Sequence, residues 1–236
     1  MAQKAEMDAV RRSTFSARLD CHYLLRTPPK VGRRSTLVVA LHGFGQTPEV
    51  LLPLVARMMG DDHVIAALEG PNHFFLPAGG AVGPGGASEV GCGWVTRRHA
   101  PSGIRLHHDM VRHVLHEAGS EYGIPPERRL LLGFSQPVSL NYRFAAAFPE
   151  AVRGVIAICG GLPSDWESGD RRPLRAAVLH IARREDEYYP PAVTEQYADR
   201  LRLRVQDVEF HMLEGGHRFP SAGNVIVEGW LGRILR

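Results

Sequence analysis

Lysine is almost missing from this chain: Lys4 and Lys30 stand alone, and arginine supplies nearly all the remaining positive charge behind a net charge of +3. The arginines are spread in pairs, Arg11-Arg12, Arg33-Arg34, Arg97-Arg98, Arg171-Arg172 and Arg183-Arg184, with no basic block interleaved with aromatics. Such pairs mark solvated faces and loop edges, whereas a nucleic-acid groove needs a clustered basic stripe, so no nucleic-acid partner is expected. Cysteine is scarce too. Cys21, Cys92 and Cys159 are odd in number and lack any Cys-x-x-Cys spacing, which argues against a disulfide framework and a zinc knuckle. No stretch approaches the roughly 18 uninterrupted apolar residues of a membrane span, so no stable membrane insertion is expected. The polar opening, residues 1–13, also lacks the apolar segment of a secretory signal, and a cytoplasmic location follows as the expectation. No Gly-x-x-x-x-Gly-Lys pattern occurs, which argues against a phosphate cradle.

What the chain does have is apolar material, 44% of 236 residues, enough for a substantial core. One domain over residues 1–236 is expected, with residues 1–12 as a loosely packed or disordered tail. Residues 14–25 alternate, with apolar groups at Phe15, Ala17, Leu19, Cys21, Tyr23 and Leu25, and read as an edge strand. Residues 35–41 and 63–68 are continuous apolar runs, the pattern of strands covered on both faces. Residues 48–59 read as a helix between them. Residues 77–93 are crowded with glycine and read as a long loop, a length that points to function or mobility.

An apolar stripe at Ile104, Val111, Leu115 and Ala118 predicts a helix over residues 102–119, stopped by Gly119. Of its histidines His107, His108, His113 and His116, the last two share a helical face. Two histidines on one face are not a ligand set by themselves, so no metal is expected. Strands follow at 129–132, 152–159, 174–181 and 208–213, with helices ending before Pro149, over 192–203, and through Trp230 and Ile234. This alternation predicts a mostly parallel, twisted sheet with helices on both faces, an α/β fold.

In such sheets functional groups collect beyond the carboxyl ends of the strands. Gly133-Phe134-Ser135-Gln136-Pro137 lies between the run at 129–132 and a helix, so Ser135 sits on a strand-turn-helix elbow where the N–H of Gln136 can bind an oxyanion. Gly86-Ala87-Ser88 has the same Gly-x-Ser spacing, but no strand feeds it. A serine hydroxyl needs a base, and the base needs a partner that fixes its tautomer. His211 and His217 compete for the base. His211 falls inside a strand pattern, while His217 follows Gly215-Gly216 in a loop able to reach the serine. For the acid, Glu185, Asp186 and Glu187 are adjacent, with Asp165 and Asp170 more distant, and spacing does not choose among them.

Leu41-His42-Gly43-Phe44-Gly45, Gly133-Phe134-Ser135-Gln136, Asp186 followed four residues later by Pro190, and Gly216-His217 together resemble the small α/β-hydrolases of the phospholipase/carboxylesterase group. That group includes acyl-protein thioesterases and bacterial carboxylesterases, and the resemblance spans residues 37–219. It implies the α/β-hydrolase fold, with Ser135 as nucleophile, His217 as general base and acid, Asp186 as the orienting carboxylate, and the N–H groups of Phe44 and Gln136 as the oxyanion hole. The implied reaction is hydrolysis of a small to medium acyl ester through an acyl-enzyme, with no cofactor and a small-molecule ester as the partner. The same residues would also serve a thioesterase or lysophospholipase, and a non-catalytic binding protein on this fold is the reading from another class. A homodimer is compatible with all three. Phe44, Trp94, Leu162 and Phe219 are candidates for an acyl pocket. The chain departs from the family at Pro137, where a glycine is usual, and at Ala182-Arg183, where His-Gly is common.

Overall fold

The runs free of polar residues become the buried strands of one sheet. In the computed structural model, which describes residues 11–32, 34–76, 90–168, 172–220 and 223–236, the first strand is β1 (Tyr23–Arg26) and the second β2 (Leu37–Leu41). The chain continues through α1 (Pro48–Met59), β3 (Val64–Leu68), β4 (Asn72–Phe75), β5 (Val90–Gly93), α2 (Ala100–Glu121), β6 (Arg129–Phe134) and α3 (Val138–Ala147). It ends with β7 (Gly154–Ile158), β8 (Ala177–Arg183), α4 (Pro191–Thr194), α5 (Tyr197–Arg202), β9 (Val208–Leu213) and α6 (Gly223–Ile234). Among the described residues the main sheet runs β1-β3-β2-β6-β7-β8-β9. Only β1 is antiparallel to its neighbour. This is the mostly parallel sheet of the α/β-hydrolase fold.

Side chains that alternate along each strand feed two cores. Leu37, Val39 and Leu41 join Met110, Val111 and Leu115 of α2 and Tyr142 and Phe144 of α3. Val38 and Ala40 join Leu51 and Val55 of α1 and Val227, Trp230 and Ile234 of α6. Helices therefore cover both faces, as period-two strands buried on both sides require. No helix among the described residues is long and apolar enough to cross a membrane.

Several expectations need correction. Residues 14–22 form no strand, and Phe15 is 89% exposed and Leu19 55%. Alternation predicts a strand only where a partner exists, and β3 offers an edge just from Leu68 opposite Tyr23 to Ile65 opposite Arg26. The glycine-rich stretch ends in a strand, since β5 pairs antiparallel with β4, Cys92 opposite His73. Glycine hid it, because a Cβ at Gly91 would lie 2.9 Å from the carbonyl oxygen of Gly45. The predicted helix 192–203 is two short ones. The strand expected at 174–181 begins later, at Ala177, with Leu174 held by an isolated bridge to Val205. Most of the glycine-rich loop, the Gly86-Ala87-Ser88 motif, Asp170 and residues 1–10 of the expected tail lie outside the described residues.

Three buried histidines make the fold sensitive to acid. Burial lowers His42 from 6.5 to about 4 and His180 from 6.5 to about 3. His107 falls to about 3 through burial and then the neighbouring His108. Each is held neutral: His42 Nδ1–H donates to the Gly43 carbonyl at 2.8 Å while Nε2 accepts the Gly70 N–H at 2.9 Å. Between pH 6.5 and 4 the unfolded chain therefore binds protons that the native chain refuses, so stability rises with pH. Each histidine contributes a slope of up to about 1.4 kcal/mol per pH unit in that window. The denaturation midpoint should fall steadily on acidification from neutral pH toward pH 4, and a flat profile would remove the three histidines as the cause.

Candidate active site

Ser135 leaves β6 with φ at +64°, a left-handed conformation costing a non-glycine residue roughly 1–2 kcal/mol. The fold fixes it there. Its N–H donates to the Ile158 carbonyl at 2.8 Å, and its own carbonyl accepts the Val138 N–H at 3.2 Å. Close packing at the elbow depends on two glycines. A Cβ at Gly133 would lie 2.8 Å from Asn141 Nδ2, and one at Gly160 only 2.4 Å from Val138 and 2.6 Å from the Ser135 oxygen. Pro137 fits beside them at φ −73° and ψ −10°, just before α3. Its carbonyl accepts the Asn141 N–H at 2.8 Å, and its missing N–H falls where a helix start leaves donors unpaired anyway.

His217 closes over this serine from the loop after β9. Its Nε2 lies 2.9 Å from Ser135 Oγ, and its Nδ1 lies 2.8 Å from Asp186 Oδ2. With a carboxylate at Nδ1, that nitrogen carries the proton and donates, leaving Nε2 to accept from the hydroxyl. Asp186 follows β8 by three residues and is 1% exposed. Its second oxygen accepts the N–H groups of Tyr188 and Tyr189, both at 2.9 Å. The imidazole is boxed by the rings of Phe134 at 5.1 Å, Tyr188 at 4.8 Å and Tyr189 at 5.8 Å.

The turn after β2 faces the elbow. Gly43 N–H donates to Gln46 Oε1 at 3.0 Å, Gly45 N–H to the Cys92 carbonyl at 2.8 Å, and Gln46 N–H to the Gly43 carbonyl at 3.1 Å. Among the described residues the Phe44 N–H has no acceptor, and neither has that of Gln136. The Gln136 side chain is spoken for elsewhere: Oε1 accepts the Trp94 N–H at 2.9 Å and Nε2 donates to the Val95 carbonyl at 3.0 Å. These bonds tie the elbow to the segment after β5, which is itself bonded to the Phe44 turn.

Ser135, Gln136, His217, Phe44 and Phe219 line one open cavity of about 630 Å³. Trp94 and Leu162 do not line it. Trp94 is fully buried beneath the turn with its indole N–H on the His42 carbonyl at 2.8 Å, and Leu162 packs against the core of α2 and α3. Phe134, Tyr188, Tyr189, Leu54 and Arg218 line the cavity without having been singled out. The two tyrosines follow Asp186 by two and three residues, so their position close behind the acid was the signal to read. His211, the rejected base, sits within β9 against Glu209 at 2.8 Å.

Among the described residues two trios could place donor atoms around one ion: Cys159, Asp186 and His217 within the site, and Glu69, His73 and Cys92 beside the hairpin. Burial, followed by nearby carboxylates, pushes the Cys159 thiol up to about 12 and the Cys92 thiol to about 11. A cation would have to displace a proton at either place.

A sequence profile described as phospholipase/carboxylesterase matches residues 97–228, a stretch that holds Ser135, Asp186 and His217. No curated protein matches the chain by sequence. Among solved structures, the Bacillus cereus carboxylesterase is similar at a TM-score of 0.69 and 15% identity, over 91% of this chain and 94% of that one. A Mesorhizobium loti carboxylesterase matches at 0.69 and 21% identity, over 90% and 95%. Arabidopsis thaliana SOBER1 matches at 0.64 and 18% identity, over 86% and 100%. Likenesses at these identities establish a shared fold.

Proposed function

Since the chain belongs to the phospholipase/carboxylesterase family, we propose that it is a serine carboxylic-ester hydrolase acting through an acyl-enzyme on small to medium acyl esters. The observation that carries this reading is the unbroken line of hydrogen bonds from Asp186 through His217 to Ser135. In the first half-reaction His217 Nε2 takes the hydroxyl proton as Ser135 Oγ bonds to the ester carbonyl carbon. The carbonyl oxygen becomes an oxyanion, and the open N–H groups of Phe44 and Gln136 are its donors. One such donor is typically worth about 2.7–4 kcal/mol of transition-state stabilisation. Collapse expels the alcohol, which leaves with the proton from His217. Water then gives a proton to Nε2 as it attacks the acyl carbon, and collapse releases the acid as Nε2 returns that proton to Ser135 Oγ.

Aromatic walls at Phe44, Tyr188 and Phe219 around an open cavity support an acyl group of modest length over a polar one. The test is covalent. A fluorophosphonate should attach to Ser135, located by peptide mass spectrometry, and the protein should release nitrophenol from p-nitrophenyl esters in a chain-length series. A protein left unlabelled at Ser135 and inert across the series is no serine hydrolase. Thioesters and lysophospholipids in the same panel decide between the ester reading and the other acyl substrates that these residues could serve.

A further inference from the structure

His217 rides on a loop that has little stiffness of its own. Gly215, at φ +102°, and Gly216 precede it, and glycine leaves a backbone its widest freedom. Before the histidine, main-chain bonds anchor the loop: Arg184 N–H donates to the Leu213 carbonyl at 2.9 Å and Glu185 N–H to the Gly215 carbonyl at 3.1 Å. At Arg218, immediately beyond the histidine, the described main-chain bonds stop. The Arg218 carbonyl is held by a side chain, that of Arg183 at the end of β8.

Arg183 is 6% exposed. Its Nε–H donates to the Arg218 carbonyl at 3.0 Å, and its Nη1–H donates to the Glu214 carbonyl. The two acceptors flank His217. A guanidinium presents its donors in a rigid planar fork, so it fixes the distance across the arch as well as each end. Room for it comes from Gly215, where a Cβ would lie 2.9 Å from Arg183 Nη1. Among the described residues no carboxylate forms an ion pair with this buried cation. Burying a charge without such a partner is costly, and what Arg183 obtains for that cost is the loop. The same guanidinium bears on the Cys159 thiol, as does Asp186, and the thiol donates to the Arg218 carbonyl at 3.6 Å.

We infer that Arg183 is a positioning residue for His217 beside Asp186, holding the imidazole at bonding distance from Ser135 by clamping the carbonyls of Glu214 and Arg218. The inference rests on His217 being the base proposed above. It follows that the guanidinium's shape matters beyond its charge, and that its loss slows proton transfer and leaves substrate binding alone.

The experiment compares wild type with Arg183→Ala and Arg183→Met, the second retaining bulk should the first not fold. Labelling of wild type at Ser135 checks the underlying reading separately. With wild type active, the variants should lose roughly a hundredfold in kcat, the scale of a small misplacement of a catalytic group, with KM unchanged. Fluorophosphonate labelling should slow in parallel. Adding guanidinium or methylguanidinium at non-denaturing concentration should restore activity to Arg183→Ala saturably, and methylammonium should not. A folded variant with wild-type kcat, a change confined to KM, equal rescue by methylammonium, or a loss that neither guanidine restores would each overturn the assignment.

Discussion

His217→Ala is expected to lower kcat roughly a millionfold, the scale seen when a serine hydrolase loses its base. Ser135 Oγ lies 2.9 Å from His217 Nε2, and the other side chain hydrogen-bonded to Ser135, the Tyr189 phenol, is too weak a base to take its proton. Without His217 the hydroxyl must attack unassisted, and the leaving alcohol finds no acid. The residual rate should come from the Phe44 and Gln136 donors and from binding. KM should therefore move little while kcat collapses, and labelling of Ser135 should slow with it. The protein should stay folded, because Asp186 keeps two backbone donors from Tyr188 and Tyr189. Ring contacts with Phe134, Tyr188 and Tyr189 are lost, a modest cost in a pocket open to solvent. Steady-state kinetics beside a denaturation curve checks both halves, and a variant retaining a hundredth of wild-type kcat would remove His217 from the role of base.

The positions of His211 and His217 show what could be read from the sequence. A residue's place relative to a strand end is written in local pattern: His211 falls in the run that becomes β9, and His217 falls past it after two glycines. The central strands were legible for the same reason, since β2, β3 and β6 are runs with almost no polar residue. Edges and cavities were not. Residues 14–22 alternate like a strand but meet no partner, and β5 is a strand whose glycines hide it. Trp94 lies beside the elbow in space, bonded through its backbone to Gln136, yet its ring turns under the Phe44 turn and away from the cavity. The direction of a side chain on a loop depends on tertiary contacts, and no periodicity encodes it. Arg183 could be noticed as a departure from the family pattern, but only the closure of β8 against the His217 loop gives it partners.

Asp186→Asn is expected to lower kcat about ten-thousandfold with little change in fold, and the reason lies in the carboxylate's second oxygen. Oδ1 accepts two backbone N–H groups, from Tyr188 and Tyr189, both at 2.9 Å. An asparagine placed here must keep its carbonyl oxygen toward those donors, because turning its NH₂ toward them would set donor against donor at two contacts in a buried place. The amide NH₂ is thereby directed at His217 Nδ1. A donor at that position requires Nδ1 to accept, so the imidazole proton moves to Nε2. His217 then points an N–H at Ser135 Oγ and cannot take its proton, although every heavy atom stays near its place. Asp186→Ala should behave differently: it imposes no tautomer but strands two backbone donors, so its unfolding midpoint should fall below that of Asp186→Asn. If Asp186→Asn keeps activity within tenfold of wild type, the carboxylate is not fixing the tautomer of His217. If it falls as expected while its denaturation curve overlays wild type, the loss belongs to the proton's position on the ring and not to the architecture around it.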